Sequence, residues 1–217
     1  MMMKTKILLV DDHPIFRQGL VKNIERIEEF EIVGEAGDGV QALDLIEKYL
    51  PAIIVADVSM PSMNGFEFIR KAQEKYPNLK FIILTMYKEK EYFNTAMDLG
   101  VQGYLLKECA SIELIKCLRT VAAGEYYVTP SLNSYLFERL SQHEKFKASQ
   151  PSYTQLTQTE RNILKLISEN KTSKEIANLL HISFRTVQNH RNNICLKLGL
   201  EGYNKLLQYA LQYKDLL

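Results

Sequence analysis

The chain contains no apolar run approaching the roughly 20 residues needed to span a bilayer. Its opening, MMMKTKILLVDDHP, turns acidic where a secretory leader would stay apolar. A cytoplasmic location without membrane insertion is therefore expected. Cysteine is scarce: Cys109, Cys117 and Cys195 are three, an odd number, and lack the close pairing of zinc ligands. That excludes a disulfide framework, fits a reducing compartment and leaves the cysteines as packing residues. There is no internal repeat and no long low-complexity tract.

What is present is ordinary for a folded protein, with 46% hydrophobic and 24% charged residues over 217 positions. That length suits two compact units. The net charge of +1 hides an asymmetry: residues 1–149 hold 18 Lys+Arg against 21 Asp+Glu, and 150–217 hold 9 against 5. A basic C-terminal unit is a weak sign of nucleic-acid binding.

Over the first 125 residues short β-rich runs alternate with helix-like stretches. KILLV, EIVGEA, AIIVADV, KFIILTM and GYLLK are followed by amphipathic segments near 14–27, 39–48, 65–75, 89–99 and 111–123. Continuously apolar runs such as Ile53 to Val55 predict parallel strands covered on both faces. The expected fold is a doubly wound α/β domain with a five-stranded parallel sheet, whose ligands lie beyond the carboxyl ends of the strands. Asp11 and Asp12 follow the first run and Asp57 the third, so three carboxylates should converge there. Like charges this close raise one another's pKa unless a cation holds them. Mg²⁺ is the natural candidate, because it prefers carboxylates, waters and phosphate oxygens. Asp57 could then attack a phosphoryl group, with the Lys107 ammonium neutralising the transferred oxygens. Taken singly, an Asp at a strand end is as readily a helix cap and a Lys or Thr there is usually solvated.

Together VDD, ADVSMP, LT and LLK resemble the receiver domain of two-component response regulators over residues 4–125, a CheY-like, flavodoxin-like fold. The resemblance implies that Asp57 is the phosphoacceptor and that Asp11, Asp12, Asp57 and the backbone carbonyl of Ser59 hold Mg²⁺. It also implies that Thr85 and Lys107 bind the phosphate and that Tyr104 swings inward when the threonine engages it. Ser59 and Tyr87 occupy positions that in the family influence how water reaches the phosphate. Pro61 and Gly65 fit the loop after the phosphoacceptor.

Residues 126–154 are polar and poorly periodic, with one helix possible over 130–147, and are expected to form a partly helical linker. Residues 155–217 then predict a small all-α domain of four helices: Thr157 to Asn170, Ser173 to Leu180, Phe184 to Leu198, and Tyr203 to about Tyr213. Ile176, Ala177, Leu180, Ile182, Val187 and Ile194 are the inward positions. By itself this is as consistent with a plain bundle as with a helix-turn-helix. The third helix tips the balance, being rich in side chains that bond phosphates and base edges and almost devoid of acids.

Leu156 to Leu200 resembles the LuxR-type (NarL/FixJ) helix-turn-helix. By that resemblance Gln188, Asn189 and Asn192 face base edges, while Lys174, Arg185, Thr186, His190, Arg191 and Lys197 contact or align the DNA backbone. The chain departs from the family at Asn170, often Gly, and at Gln188, often Lys. Gln and Asn favour adenine, so a more A·T-tolerant half-site is expected. Leu206, Leu207, Ala210 and Leu211 form a stripe that either closes the domain core or pairs two copies. The expected protein is a transcription regulator phosphorylated by a sensor histidine kinase and acting as a homodimer on an inverted repeat of double-stranded DNA. It is not a conventional enzyme, although the receiver assists its own Mg²⁺-dependent phosphoryl transfer and dephosphorylation. A haloacid-dehalogenase-like phosphatase would need an acid where Ser59 stands. An adaptor or antiterminator would not need the TVQNHRNN helix, and constitutive DNA binding would leave the acidic set without a purpose. A receiver that covers the recognition helix until phosphorylation is a further expectation, motivated by the linker.

Overall fold

The computed structural model describes residues 4–149, 151–202 and 204–217. It divides into two compact units, one ending at Tyr135 and one beginning at Leu136. In the first, β1 (Thr5–Val10), β2 (Phe30–Ala36), β3 (Ile53–Ala56), β4 (Lys80–Thr85) and β5 (Gly103–Leu106) alternate with α1 (Pro14–Glu25), α2 (Gly39–Tyr49), α3 (Gly65–Lys75), α4 (Lys90–Asp98) and α5 (Ala110–Ala122). With a further strand β6 (Tyr127–Val128), the sheet order is β2-β1-β3-β4-β5-β6 and every pairing is parallel. Parallel neighbours must be joined by crossovers, and the helices that make them bury β3, β4 and β5 on both faces. Hence Ile53, Ile54, Ile82, Ile83 and Leu105 are all fully buried.

The sheet has one strand more than the five expected. β6 is two residues long (Tyr127–Val128) and pairs with β5 through Gly103↔Tyr127 and Tyr104↔Val128. A ladder of two residues leaves no alternation to detect in sequence. It is fastened by Thr129, 1% exposed, whose hydroxyl accepts from the Leu106 N–H at 3.1 Å.

The order reverses between β1 and β3, the topological switch point where ligands of such sheets bind. There the Asp57 N–H donates to the Val10 carbonyl at 2.8 Å, locking the two carboxyl ends in register.

Helix α6 (Asn133–Ser149) contains the boundary between the units, and a short α7 (Pro151–Thr154) follows. The second unit is built from α8 (Gln158–Ser168), α9 (Ser173–Leu179), α10 (Phe184–Leu198) and α11 (Lys205–Gln212). Thr157 and Thr172 start α8 and α9 with complete capping boxes to Glu160 and Glu175. Ser183 caps α10, and Gly199 ends it at φ 65°. Asn170 (φ 60°) and His181 (φ 52°) take the left-handed turns before α9 and α10. Tyr153, Ile163, Ile167, Ile176, Val187, Ile194, Leu206 and Ala210 form the core, with Leu180, Ile182 and Cys195 packed against it. Cys117 lies in the core of the first unit and Cys109 packs on it. Among the described residues no helix is long and apolar enough to cross a membrane.

Candidate functional site

Three strand ends build a charged cluster on the first unit. Asp11, Asp12, His13 and Asp57 each present a ligand atom, all within 4.8 Å of one another. Asp57 is 3% exposed and Asp11 2%. Lys107, at the end of β5, reaches Asp57 Oδ2 at 2.6 Å and Asp11 Oδ2 at 2.8 Å. Burial pushes the Asp57 carboxyl above its ordinary range; Lys107 pulls it back in part, and the Asp11 charge pushes it further up. Burial alone would depress the Lys107 ammonium, but its pairing with both acids prevails and raises it.

The arrangement suits a hard divalent cation. Asp11 Oδ2 and Asp12 Oδ1 are buried oxygens without hydrogen-bond geometry, although Lys107 and His13 lie close to them. Such oxygens are costly unless something coordinates them. The Ser59 N–H donates to Asp57 Oδ1 at 3.2 Å, which orients the carboxylate. Beside it opens a cleft of about 520 Å³ lined by Asp12, Ser59, Asn64, Phe66, Tyr87 and Tyr92. Gly65 approaches so closely that a Cβ there would fall 2.1 Å from the Asp57 carbonyl oxygen. Only glycine allows α3 to start against the Asp57 backbone.

Around this edge lies a second, polar-aromatic layer. Thr85 is fully buried, and its hydroxyl accepts from the Tyr87 N–H at 3.2 Å. Tyr104 is also fully buried, its hydroxyl donating to the Tyr87 carbonyl at 2.9 Å. Its ring meets Phe93 edge-on at 5.4 Å, and Phe93 in turn lies 6.0 Å from Tyr135 in the first turn of α6. Tyr87 stacks on Tyr92 at 4.0 Å and shares a 2.8 Å hydrogen bond with the Ser59 hydroxyl.

On the second unit, α10 exposes Arg185, Asn189, Asn192 and Asn193 on one face, with Lys174 exposed on α9. Gln188 is half-buried and donates to Ser173 Oγ at 3.2 Å, which ties α10 to the start of α9. Lys197 donates to the buried Glu160 at 2.6 Å, an intramolecular bond that competes with any contact to phosphate. Thr186 shares a hydrogen bond with Ser183, while His190 and Arg191 are half-buried along the helix flank. Burial lowers the Arg191 guanidinium somewhat from its ordinary value.

Comparison with known proteins fits both units. Residues 7–119 match the response regulator receiver domain, and residues 154–210 match the bacterial regulatory proteins of the luxR family. The chain is a response regulator. It is similar to the transcriptional regulatory protein YhcZ of Bacillus subtilis, 35% identical over 209 residues and covering 96% of each chain. It is equally close to the oxygen regulatory protein NreC of Staphylococcus epidermidis, 35% identical over 213 residues, 96% of this chain and 98% of that one. Among solved structures it resembles an RcsB–DNA complex at 28% identity and TM-score 0.60, covering 95% and 98% of the chains. As a member of this family the chain joins a receiver to a LuxR-type DNA-binding domain and is a DNA-binding transcription regulator.

In this response regulator the structure adds residues that sequence reading passed over. Glu160 falls within the expected first helix of the second unit; its reach to Lys197 is a tertiary fact, signalled only by an acid at N3 of a capped helix. Thr129 and Tyr135 fall in the stretch expected as linker. His13 immediately follows the acidic pair, and its proximity to Asp12, 2.7 Å from Nδ1, was legible as adjacency alone.

Proposed function

We propose that Asp57 accepts a phosphoryl group from the phosphohistidine of a sensor kinase, and that this governs DNA binding through α10. The observation that carries the reading is the Asp57 carboxylate, buried at the switch point with Lys107 at 2.6 Å and two further acids beside it. An Asp57 oxygen attacks phosphorus, the bond to the donor imidazole breaks, and the donor nitrogen keeps the electron pair. Asp11, Asp12, Asp57 and the Ser59 backbone carbonyl would hold Mg²⁺, which when bound offsets the charge of the transferred oxygens. Lys107 follows the new anionic oxygens, and the Thr85 hydroxyl turns from Tyr87 to donate to one of them. Tyr104 packs on Phe93 and Phe93 on Tyr135, which gives that turn a route from β4 and β5 to the start of α6.

Asn189 and Asn192 are exposed where a recognition helix presents base-reading side chains, and Arg185 and Lys174 flank them as phosphate contacts. Gln188 and Lys197, which have partners within the unit, hold the helix in place. Leu206 and Ala210 close the core of the second unit, whereas Leu211 is 44% exposed and Leu207 only partly covered. That outer edge of α11 suits pairing with a second copy on an inverted repeat. RcsB has been solved as two dimers bound to two parallel DNAs, in keeping with such pairing. Membership of a family of DNA-binding regulators supports a cytoplasmic site of action.

The test is intact-mass measurement after incubation with Mg²⁺ and acetyl phosphate. The wild-type chain is expected to gain one phosphoryl group and Asp57→Ala none; an equal gain in the variant would overturn the assignment.

A further inference from the structure

The β1–α1 loop that carries the acidic pair is held by a side chain so far given no role. Arg17, in α1, donates from Nε to Glu35 Oε2 at 3.0 Å and from Nη1 to the main-chain carbonyl of Asp11. Its side chain is 18% exposed and that of Glu35 40%, so the bond to the Asp11 carbonyl is the more sheltered of the two. The main chain at both anchors is fixed. Arg17 N–H donates to the His13 carbonyl at 3.0 Å, which fixes the start of α1, and Glu35 sits on β2 in register with Leu9 of β1. The Asp11 N–H is bound to the Ala36 carbonyl at 3.0 Å. With its carbonyl taken by Arg17, Asp11 is held through the peptide groups on both its sides.

That matters most for the next residue. Asp12 is 32% exposed in its side chain, and the group nearest it, His13, is 65% exposed. Neither can hold the other firmly. The Asp11–Asp12 peptide plane is one determinant of the direction in which the Asp12 carboxylate leaves the chain; Arg17 holds that plane from the carbonyl side, while the His13 N–H donates to Asp11 Oδ1 at 2.8 Å.

We infer that Arg17 is a positioning residue for the cation site: its guanidinium spans Glu35 and the Asp11 carbonyl and so pre-orients the acidic pair for a divalent ion. It touches neither the ion nor the phosphoryl group. Arginine suits the task because its planar fork serves two acceptors at once, whereas a lysine ammonium carries the charge without the fork. The inference rests on reading the acidic cluster as a cation site serving phosphorylation of Asp57.

The experiment uses the full chain as wild type, Arg17→Gln, Arg17→Lys and Glu35→Gln. Mg²⁺ is titrated by calorimetry, and the Mg²⁺ concentration for half-maximal phosphorylation by acetyl phosphate is read by intact mass. Groups that orient metal ligands from the outer shell are worth about 10- to 100-fold in metal affinity. Arg17→Gln is expected to need about 10-fold more Mg²⁺ by both readouts, with the rate at saturating Mg²⁺ within about twofold of wild type. Arg17→Lys should not restore the affinity, and Glu35→Gln, which removes one anchor, should weaken it less than Arg17→Gln. Circular dichroism of each variant separates this from loss of fold, and Glu35→Gln serves if Arg17→Gln does not fold. Unchanged Mg²⁺ affinity in Arg17→Gln, or wild-type affinity in Arg17→Lys, overturns the inference. A wild-type chain that neither binds Mg²⁺ nor gains mass overturns the phosphoacceptor reading itself, and the inference with it.

Discussion

Replacing Glu160 by glutamine should loosen the DNA-binding unit without touching the receiver. Glu160 is 3% exposed and serves two partners: its carboxylate accepts from the Thr157 N–H at 2.7 Å and from Lys197 Nζ at 2.6 Å. Glutamine keeps an oxygen for the cap and removes only the charge. Breaking a buried ion pair costs roughly 3–5 kcal/mol. Lys197 keeps 33% of its side-chain exposure and recovers solvation when released, so the loss should be nearer about 2 kcal/mol. For a unit of this size that lowers Tm by about 8–16 °C. Burial alone would raise the Glu160 pKa, but Lys197 and the Thr157 donors hold it below the ordinary carboxylate value. A depressed carboxylate contributes its stability above the unfolded pKa of about 4.3 and loses it as pH falls through the folded value. The wild-type and Glu160→Gln melting curves should therefore differ at neutral pH and converge in acid. Calorimetry of the full chain, with hydrogen exchange over 156–200 to assign the transition, reads this directly. A shift below about 2 °C at pH 7, or a difference that widens in acid, would refute the reasoning.

Further predictions concern each part of the proposed path. Gly65→Ala places a methyl 2.1 Å from the Asp57 carbonyl, so the phosphoacceptor backbone must move; phosphorylation should fall at least about 10-fold, and a normal rate by intact mass would contradict the close approach. Asn192→Ala should weaken binding to a specific operator about 10-fold while leaving its salt dependence unchanged, whereas Arg185→Ala should lower the slope of log affinity against log salt by about 1. The reverse pattern in those titrations would exchange their roles. Tyr135→Ala should leave the phosphorylation rate of Asp57 intact and shrink the gain in DNA affinity on phosphorylation; an unchanged gain would remove Tyr135 from the path.

Much of the first unit is written in short-range pattern. Continuous apolar runs predicted β1, β3, β4 and β5, and because topology brings their carboxyl ends together, Asp11, Asp12, Asp57, Thr85 and Lys107 could be placed at one edge from the sequence. β6 escaped because two residues carry no periodicity and because its fastening, Thr129 to Leu106, links positions 23 apart. In the second unit apolar spacing marked the helices, and Val187 and Ile194 marked the inward face of α10. The partners of its polar residues were not legible. Gln188 and Lys197 have the composition of DNA contacts, and only the packing of α9 and α8 shows them bonded to Ser173 and Glu160. Arg17 shows the same limit: its value depends on which carbonyl it faces, and side-chain chemistry alone does not specify that.

The central claim is that the charge placed on Asp57 governs the DNA-binding unit. Its most direct test is titration of labelled promoter fragments, at fixed salt, with the wild-type chain and Asp57→Ala, each before and after treatment with acetyl phosphate and Mg²⁺. The account predicts that treatment tightens specific binding of the wild-type chain and leaves the variant unchanged. Equal affinity of treated and untreated wild type, with the phosphoryl group verified on Asp57, would contradict it.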